Sequence, residues 1–258
     1  GITGEVVNVV LVAINSLTPR GDNHFSGVDA TGSGGVLGKQ QQLKEGPLFY
    51  ALQEIQLKNP DSKVSLNSPT DTSWLSEFAD TYKGICSGDT ERFCFLFWEV
   101  SKVGDGYWRY HRGSFSRTSD FQGMERVFRW ESGDGSFLNF VTERLGEDGV
   151  SAWVRGTEAW GKHGVVIKIM GELPVSVYTG TSFDNNVGVI IPKNQDDLAA
   201  IWAFCSDEEY AKQVRVVNPK LSVTDTSFLQ VPFDVHKWRM IATERGEYRL
   251  PSPYSDDP

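Results

Sequence analysis

Gly84-Ile85-Cys86-Ser87-Gly88-Asp89-Thr90-Glu91-Arg92-Phe93-Cys94-Phe95-Leu96-Phe97-Trp98-Glu99-Val100 marks a change in the texture of this chain. Upstream, apolar residues recur at helical spacing. Pro47 to Lys58 predicts a helix with Leu48, Leu52 and Ile55 on one stripe, stopped by Asn59-Pro60-Asp61. Ser73 to Tyr82 predicts a second, with Trp74, Leu75, Phe78, Ala79 and Tyr82 on one face. From Gly84 onward, short aromatic or β-branched runs are split by Gly, Asp and Ser, as in strands. These runs are Arg92 to Val100, Tyr107 to Arg112, Arg126 to Glu131, Phe137 to Thr142, Gly164 to Met170, Val175 to Thr179 and Val187 to Ile191.

Outside that middle, Val6 to Ile14 reads as a strand covered on both faces. Ser26 to Lys39 reads as a Gly-rich surface loop. It is not a phosphate loop, because Ser33 stands where the first Gly belongs and Gln40 follows Lys39. Near the C-terminus, Asp196 to Phe204 predicts a helix. Ser206 with Glu209 has capping-box spacing for a helix through Val214. Phe228 to Val231 reads as a strand, and Asp234 caps a last helix to Ala242. The class is α+β: a helical front third, then a mostly β remainder with a few packed helices.

Composition bounds the function. The 258 residues are 39% hydrophobic, enough for a sizeable core and incompatible with a disordered chain. Acidic side chains outnumber basic ones, 34 to 25, so a net charge of -9 excludes a general electrostatic grip on nucleic acid or anionic membrane. Three cysteines, Cys86, Cys94 and Cys205, form no CxxC pair, which suits a reducing cytoplasm. No apolar run is long enough to cross a bilayer as a helix. The opening Gly1-Ile2-Thr3-Gly4-Glu5-Val6-Val7 and the closing loop Pro251 to Pro258 read as the ends of a piece of a larger protein. His24, His111, His163 and His236 show no metal-ligand spacing, and no nucleophile elbow is present. No self-contained active site emerges.

Tyr107 to Arg129 reverses the charge balance. Arg109, Arg112, Arg117, Arg126 and Arg129 face only Asp120 and Glu125, interleaved with Tyr107, Trp108, Tyr110, His111, Phe115, Phe121 and Phe128. Arginine suits bidentate contact with phosphate or a guanine edge, and rings offer stacking faces. The plainer reading is a cross-strand aromatic ladder with solvated arginines.

Gly84-Ile85-Cys86-Ser87-Gly88-Asp89 through Phe93, then Phe97-Trp98-Glu99-Val100, resembles the opening of the target-recognition domain of large adenine-N6 DNA methyltransferases, of the restriction-modification (type IIG-like) or phage-defence kind. Further similarities follow in order: Gly106-Tyr107-Trp108-Arg109-Tyr110, Val127-Phe128-Arg129-Trp130-Glu131, Gly164-Val165-Val166-Ile167, Ser182-Phe183-Asp184-Asn185-Asn186, and the helix end Leu198 to Ser206. Ile2 to Leu11 is similar to the last strands of the catalytic domain, and Gln53 to Asp61 to the segment that follows it. The S-adenosylmethionine loop and the Asn/Asp-Pro-Pro-Tyr/Phe tetrapeptide are absent.

The resemblance implies three segments. Residues 1–66 are the trailing part of a catalytic domain, 67–245 are the recognition domain, and 246–258 lead to a missing C-terminal part. It implies recognition of double-stranded DNA here. Catalysis, with S-adenosylmethionine as cofactor, takes place in the parent protein, and no cofactor or metal is expected in this piece, which is expected to be inactive alone. The expected DNA contacts are Gly84, Ser87 and Gly88 in a phosphate-approaching turn, Arg109, Arg112 and Arg129 on bases or phosphates, and Lys162 and Lys168 on phosphates. Phe93, Phe95, Phe97, Trp130 and Trp202 are expected in the core, and Asp184, Asn185 and Asn186 in a turn. An alternative reading is a protein-interaction domain that docks such a methylase to a restriction or defence-system subunit. No membrane partner is expected.

Overall fold

The structure, a computed structural model, describes residues 20–30, 34–56, 73–104 and 106–246, together with Val12, Val64 and Leu66. The strand read at Val6 to Ile14 therefore lies outside the described residues, save Val12, as does the end of the chain after residue 246. Two compact units divide the chain, Gly1–Thr70 and Asp71–Pro258. The class is α+β, with helices and strands interspersed along the chain.

In the first unit, β1 (His24–Gly27) precedes α1 (Gly35–Glu45), β2 (Phe49–Leu52) and α2 (Gln53–Gln56). Strands β1 and β2 pair antiparallel, Phe25 opposite Ala51 and Ser26 opposite Tyr50. The Gly-rich stretch thus yields its ends to a strand and a helix. The helix expected from Pro47 to Lys58 is instead a strand and then a single turn. Its Phe49-Tyr50 pair has a partner strand to sit on, and pairing overrides a local helical stripe.

The second unit opens with α3 (Leu75–Phe78), where the Glu77 carboxylate accepts the Trp74 amide at 2.8 Å. The expected ten-residue helix stops there, because Ala79–Lys83 become β3, hydrogen-bonded to a later strand. Asp89 then caps α4 (Thr90–Phe93), accepting from the Arg92 amide, and β4 is only Cys94–Leu96. A 3-10 turn follows at Phe97–Glu99, its Glu99 carboxylate holding the Leu96 amide at 2.8 Å. So the strand read from Arg92 to Val100 shrinks to three residues between two turns, each with a carboxylate accepting a backbone amide.

Strands β5 (Trp108–Arg112) and β6 (Arg126–Arg129) come next, then α5 (Ser136–Leu145). The strand expected at Phe137 to Thr142 is this helix. Glu131 accepts both the Ser136 amide and hydroxyl at 2.6 Å, satisfying a helix-start donor. Phe137 and Val141, four apart, bury one side.

The remaining elements are β7 (Gly164–Lys168), β8 (Val175–Tyr178), β9 (Ser182–Phe183), β10 (Val187–Pro192), α6 (Leu198–Cys205), α7 (Glu208–Val217) and α8 (Val235–Glu244). Asp207, not Ser206, caps α7, and the Ser206 hydroxyl donates back to the Trp202 carbonyl. Asp234 caps α8 through the Lys237 amide. Phe228 to Val231 is not a strand; a 3-10 turn at Asp225–Phe228 leads into it.

Two four-stranded sheets result. The first has the order β3-β10-β7-β8 and is antiparallel throughout. Val165, Ile167, Val175, Val177 and Ile190 face α6 and α8 across the largest core cluster. The alternate residues Val166, Tyr178, Val187, Val189 and Ile191 face a second cluster with Phe183. The second sheet has the order β4-β6-β5-β9, with only β5 and β9 parallel. One of its faces packs Phe128 and Cys94 on Phe93, Phe137 and Val141 of α4 and α5.

Candidate nucleic-acid interface

Strand alternation sorts the basic stretch. Trp108 lies opposite Arg129, Arg109 opposite Phe128, and His111 opposite Arg126, while Phe95 pairs with Val127. Phe95, Trp108, Tyr110, Arg112 and Arg129 therefore share one face of the second sheet. Arg109, His111, Arg126 and Phe128 share the other. The arginines expected as one edge point to two sides.

Arg112 is corrected outright: it is fully buried. Its Nη1 donates to the Gln122 carbonyl and its Nη2 to the Val177 carbonyl at 2.8 Å, tying the loop before β6 to β8. Burial pulls its pKa down to about 10, against opposing pulls from Tyr178 and Glu125, so it stays a cation inside the domain, with no surface to offer a ligand. Beside it, His111 is buried, shares a 3.0 Å hydrogen bond with the Ser182 hydroxyl and stacks on Phe128. Burial, aided by the Arg126 charge, lowers its pKa to about 3, so it stays neutral.

The glycine turn is tightly packed. A Cβ on Gly84 would lie 2.3 Å from the Asp184 carbonyl oxygen and 2.4 Å from that of Phe183. Gly88, at φ +64°, would put one 2.2 Å from the Trp153 ring. The Ile85 amide donates to the Phe183 carbonyl and the Cys86 amide to the Trp153 carbonyl. These glycines serve close packing, and the Ile85 and Cys86 amides are engaged by backbone carbonyls, so neither of those two is available to a phosphate. The Ser87 hydroxyl is 3.0 Å from that of Thr90.

Arg109 and Arg129 differ from Arg112. The Arg109 guanidinium lies 4.4 Å from the Trp160 ring centroid. Arg129 lies 5.4 Å from that of Phe95 and 5.2 Å from that of Trp108. Both are half-buried, and neither has a hydrogen bond or ion pair among the described residues; each buries an unpartnered Nε. Burial works to raise the Glu131 carboxyl. Hydrogen bonds from Ser136 and Tyr107, with the charge of Arg129, hold it below its usual range.

Two arginines missed in the sequence behave likewise. Arg92 lies 5.0 Å from the Phe93 ring centroid and 5.3 Å from that of Phe140, and Arg144 lies 5.9 Å from Phe140 and 5.8 Å from Trp153. The only sequence signal was the four-residue step from Phe140 to Arg144, hidden by reading that segment as a strand. Lys162 is exposed, its Nζ 5.8 Å from the Tyr82 ring centroid. Lys168 lines an open hollow of about 410 Å³ with Ser114, Ser116, Gln122 and Glu125.

Aromatic placements differ from expectation at Phe97, which is 47% exposed beside Trp98 at 61%. Phe93 and Trp202 are buried, whereas Phe95 and Trp130 are half-buried. Asp184 accepts the Asn186 amide and side-chain amide, forming the turn before β10. All three cysteines are free, and burial pushes the Cys94 thiol up to about 12. Among the described residues no group of three or more His, Cys, Asp or Glu is placed to hold a metal ion, and no helix is long and apolar enough to cross a membrane. No protein-family model and no curated protein matches this chain.

Proposed function

We propose that this chain is the DNA target-recognition part of a site-specific adenine-N6 DNA methyltransferase. It would hold duplex DNA while a catalytic domain it does not carry flips and methylates the base. Extruding an adenine costs a few kcal/mol, which contacts around the flipped site offset. The ordered sequence resemblance supports this reading, and one structural observation carries it. Arg92, Arg109, Arg129 and Arg144 are held by rings, and none is ion-paired or hydrogen-bonded to a carboxylate among the described residues. Ion pairs between described residues lie elsewhere, at Lys193–Asp80, Lys212–Glu208, Lys237–Glu209, Arg239–Asp197 and Arg245–Asp207. A ring orders a guanidinium through its face and leaves the N–H edge free for phosphates or base edges. A carboxylate partner consumes that edge.

S-adenosylmethionine would act in the catalytic domain. The hollow beside Lys168 is open and offers only Phe115 as a ring, itself buried, which does not fit a nucleoside. No step is routed through that cofactor. The test is duplex binding by fluorescence anisotropy at about 50 mM salt. Binding that weakens steeply with salt and loses sequence preference in Arg129→Ala supports the reading; no binding to any duplex overturns it. A second reading, docking to a partner protein, is favoured by the exposed rings of Phe97, Trp98 and Tyr107. A partner captured through those rings, with no duplex bound, would select it.

A further inference from the structure

We infer that Arg92 and Arg144 form a two-point clamp on the phosphate backbone of DNA; this rests on the recognition reading above and adds a site that the basic stretch does not contain. Their side chains come from different elements, α4 and α5, and converge on one ring, Phe140, at 5.3 and 5.9 Å from its centroid. Both are exposed, and neither has a hydrogen bond or ion pair among the described residues.

The scaffold beneath them is rigid. Phe140 contacts Phe93 at 5.3 Å and Trp153 at 6.1 Å between ring centroids, and Phe93 packs edge-on against Phe137. Arg144 also covers Trp153, the ring against which Gly88 packs. A strand of duplex places one phosphate about every 3.4 Å of rise. Two guanidinium forks around one ring can therefore meet nearby phosphates of a single strand. The exposed Glu91 and Glu143 flank Arg92 and Arg144 in sequence, so this is no diffuse basic patch and any phosphate contact has to come from the two guanidinium forks themselves.

The experiment measures duplex binding by anisotropy between about 50 and 200 mM salt for the wild-type chain, R92A/R144A and R92K/R144K. Two lost phosphate contacts should make the slope of log K against log salt shallower by about 1.8, and weaken binding about 60-fold at 0.1 M salt. R92K/R144K should keep the slope, since the charge remains, while binding more weakly because the fork is lost. Thermal unfolding should shift by no more than a few degrees in either variant, as both side chains are exposed and lose only their ring contacts. Wild-type binding with slope and affinity unchanged in R92A/R144A would overturn the clamp and leave the recognition reading standing. Loss of the slope in R92K/R144K would overturn it too. A wild-type chain that binds no duplex would overturn the recognition reading and the clamp together.

Discussion

Replacing Arg112 by Ala tests whether this arginine is a structural cation or a reader of DNA. As a reader, its loss would relax specificity and spare the fold. Its burial and its two carbonyl partners give the opposite expectation. Truncation leaves the Gln122 and Val177 carbonyls without those donors, at about 1–3 kcal/mol each. The void left by so large a side chain adds about 2–5 kcal/mol. Against this, removing a buried cation returns its desolvation cost. A pKa pulled down to about 10, net of the opposing pulls of Tyr178 and Glu125, puts the part returned at about 3 kcal/mol. The net loss is about 4 kcal/mol, or roughly 8–16 °C of melting temperature for a unit of this size.

Arg112→Met separates the terms. Methionine fills much of the volume and removes the charge but still leaves both carbonyls unpaired, so its loss should be clearly smaller than that of alanine. Thermal unfolding followed by circular dichroism reads both. A melting temperature for Arg112→Ala within about 4 °C of wild type would refute the structural assignment, since that is about 1 kcal/mol.

Gly84→Ala should unfold more easily by about 3 kcal/mol or more, because the added methyl meets two backbone carbonyl oxygens that cannot rotate away; urea denaturation measures it. Glu131 gives a pH signature. Its folded pKa is depressed, so its contribution is fully present above the ordinary glutamate value of 4.5 and disappears as pH falls through the lower folded value. The stability gap between wild type and Glu131→Gln should therefore be widest near neutrality and shrink below about pH 4, as melting temperatures across that range would show.

Much of the fold was legible where a segment's period matched its final neighbours. The β7, β8 and β10 runs are nearly all apolar, and the structure buries them on both faces of one sheet. The α6 and α8 segments were equally plain, the second because Asp234 supplies its own cap. Failures cluster where a side chain distant in sequence decides the start of an element. The α5 helix is capped by Glu131, five residues before its first amide, so Phe137 to Thr142 read alone as an aromatic strand. The β3 strand exists because β10, over a hundred residues later, offers its edge to Asp80 through Lys83. No local window contains that partner.

The candidate site fails and recovers for the same geometric reason. Five arginines within one short stretch look like one surface in a linear string, but a strand sends alternate side chains to opposite faces. Arg109 and Arg129 are thereby separated by the thickness of the sheet, and Arg112, at the strand end that meets β8, is drawn inside. A contiguous basic face cannot come from a strand run of consecutive cations. It needs residues at even spacing on one strand, or side chains from separate elements brought to a shared support. Phe140 supplies such a support: it lies one helical turn before Arg144 and against the α4 turn that carries Arg92. Charge useful for a polyanion is therefore found by asking which guanidiniums the rings hold and the carboxylates leave alone. By that criterion the α4–α5 surface, with Arg92 and Arg144, joins Arg109 and Arg129 as a place to test for contact with a polyanion.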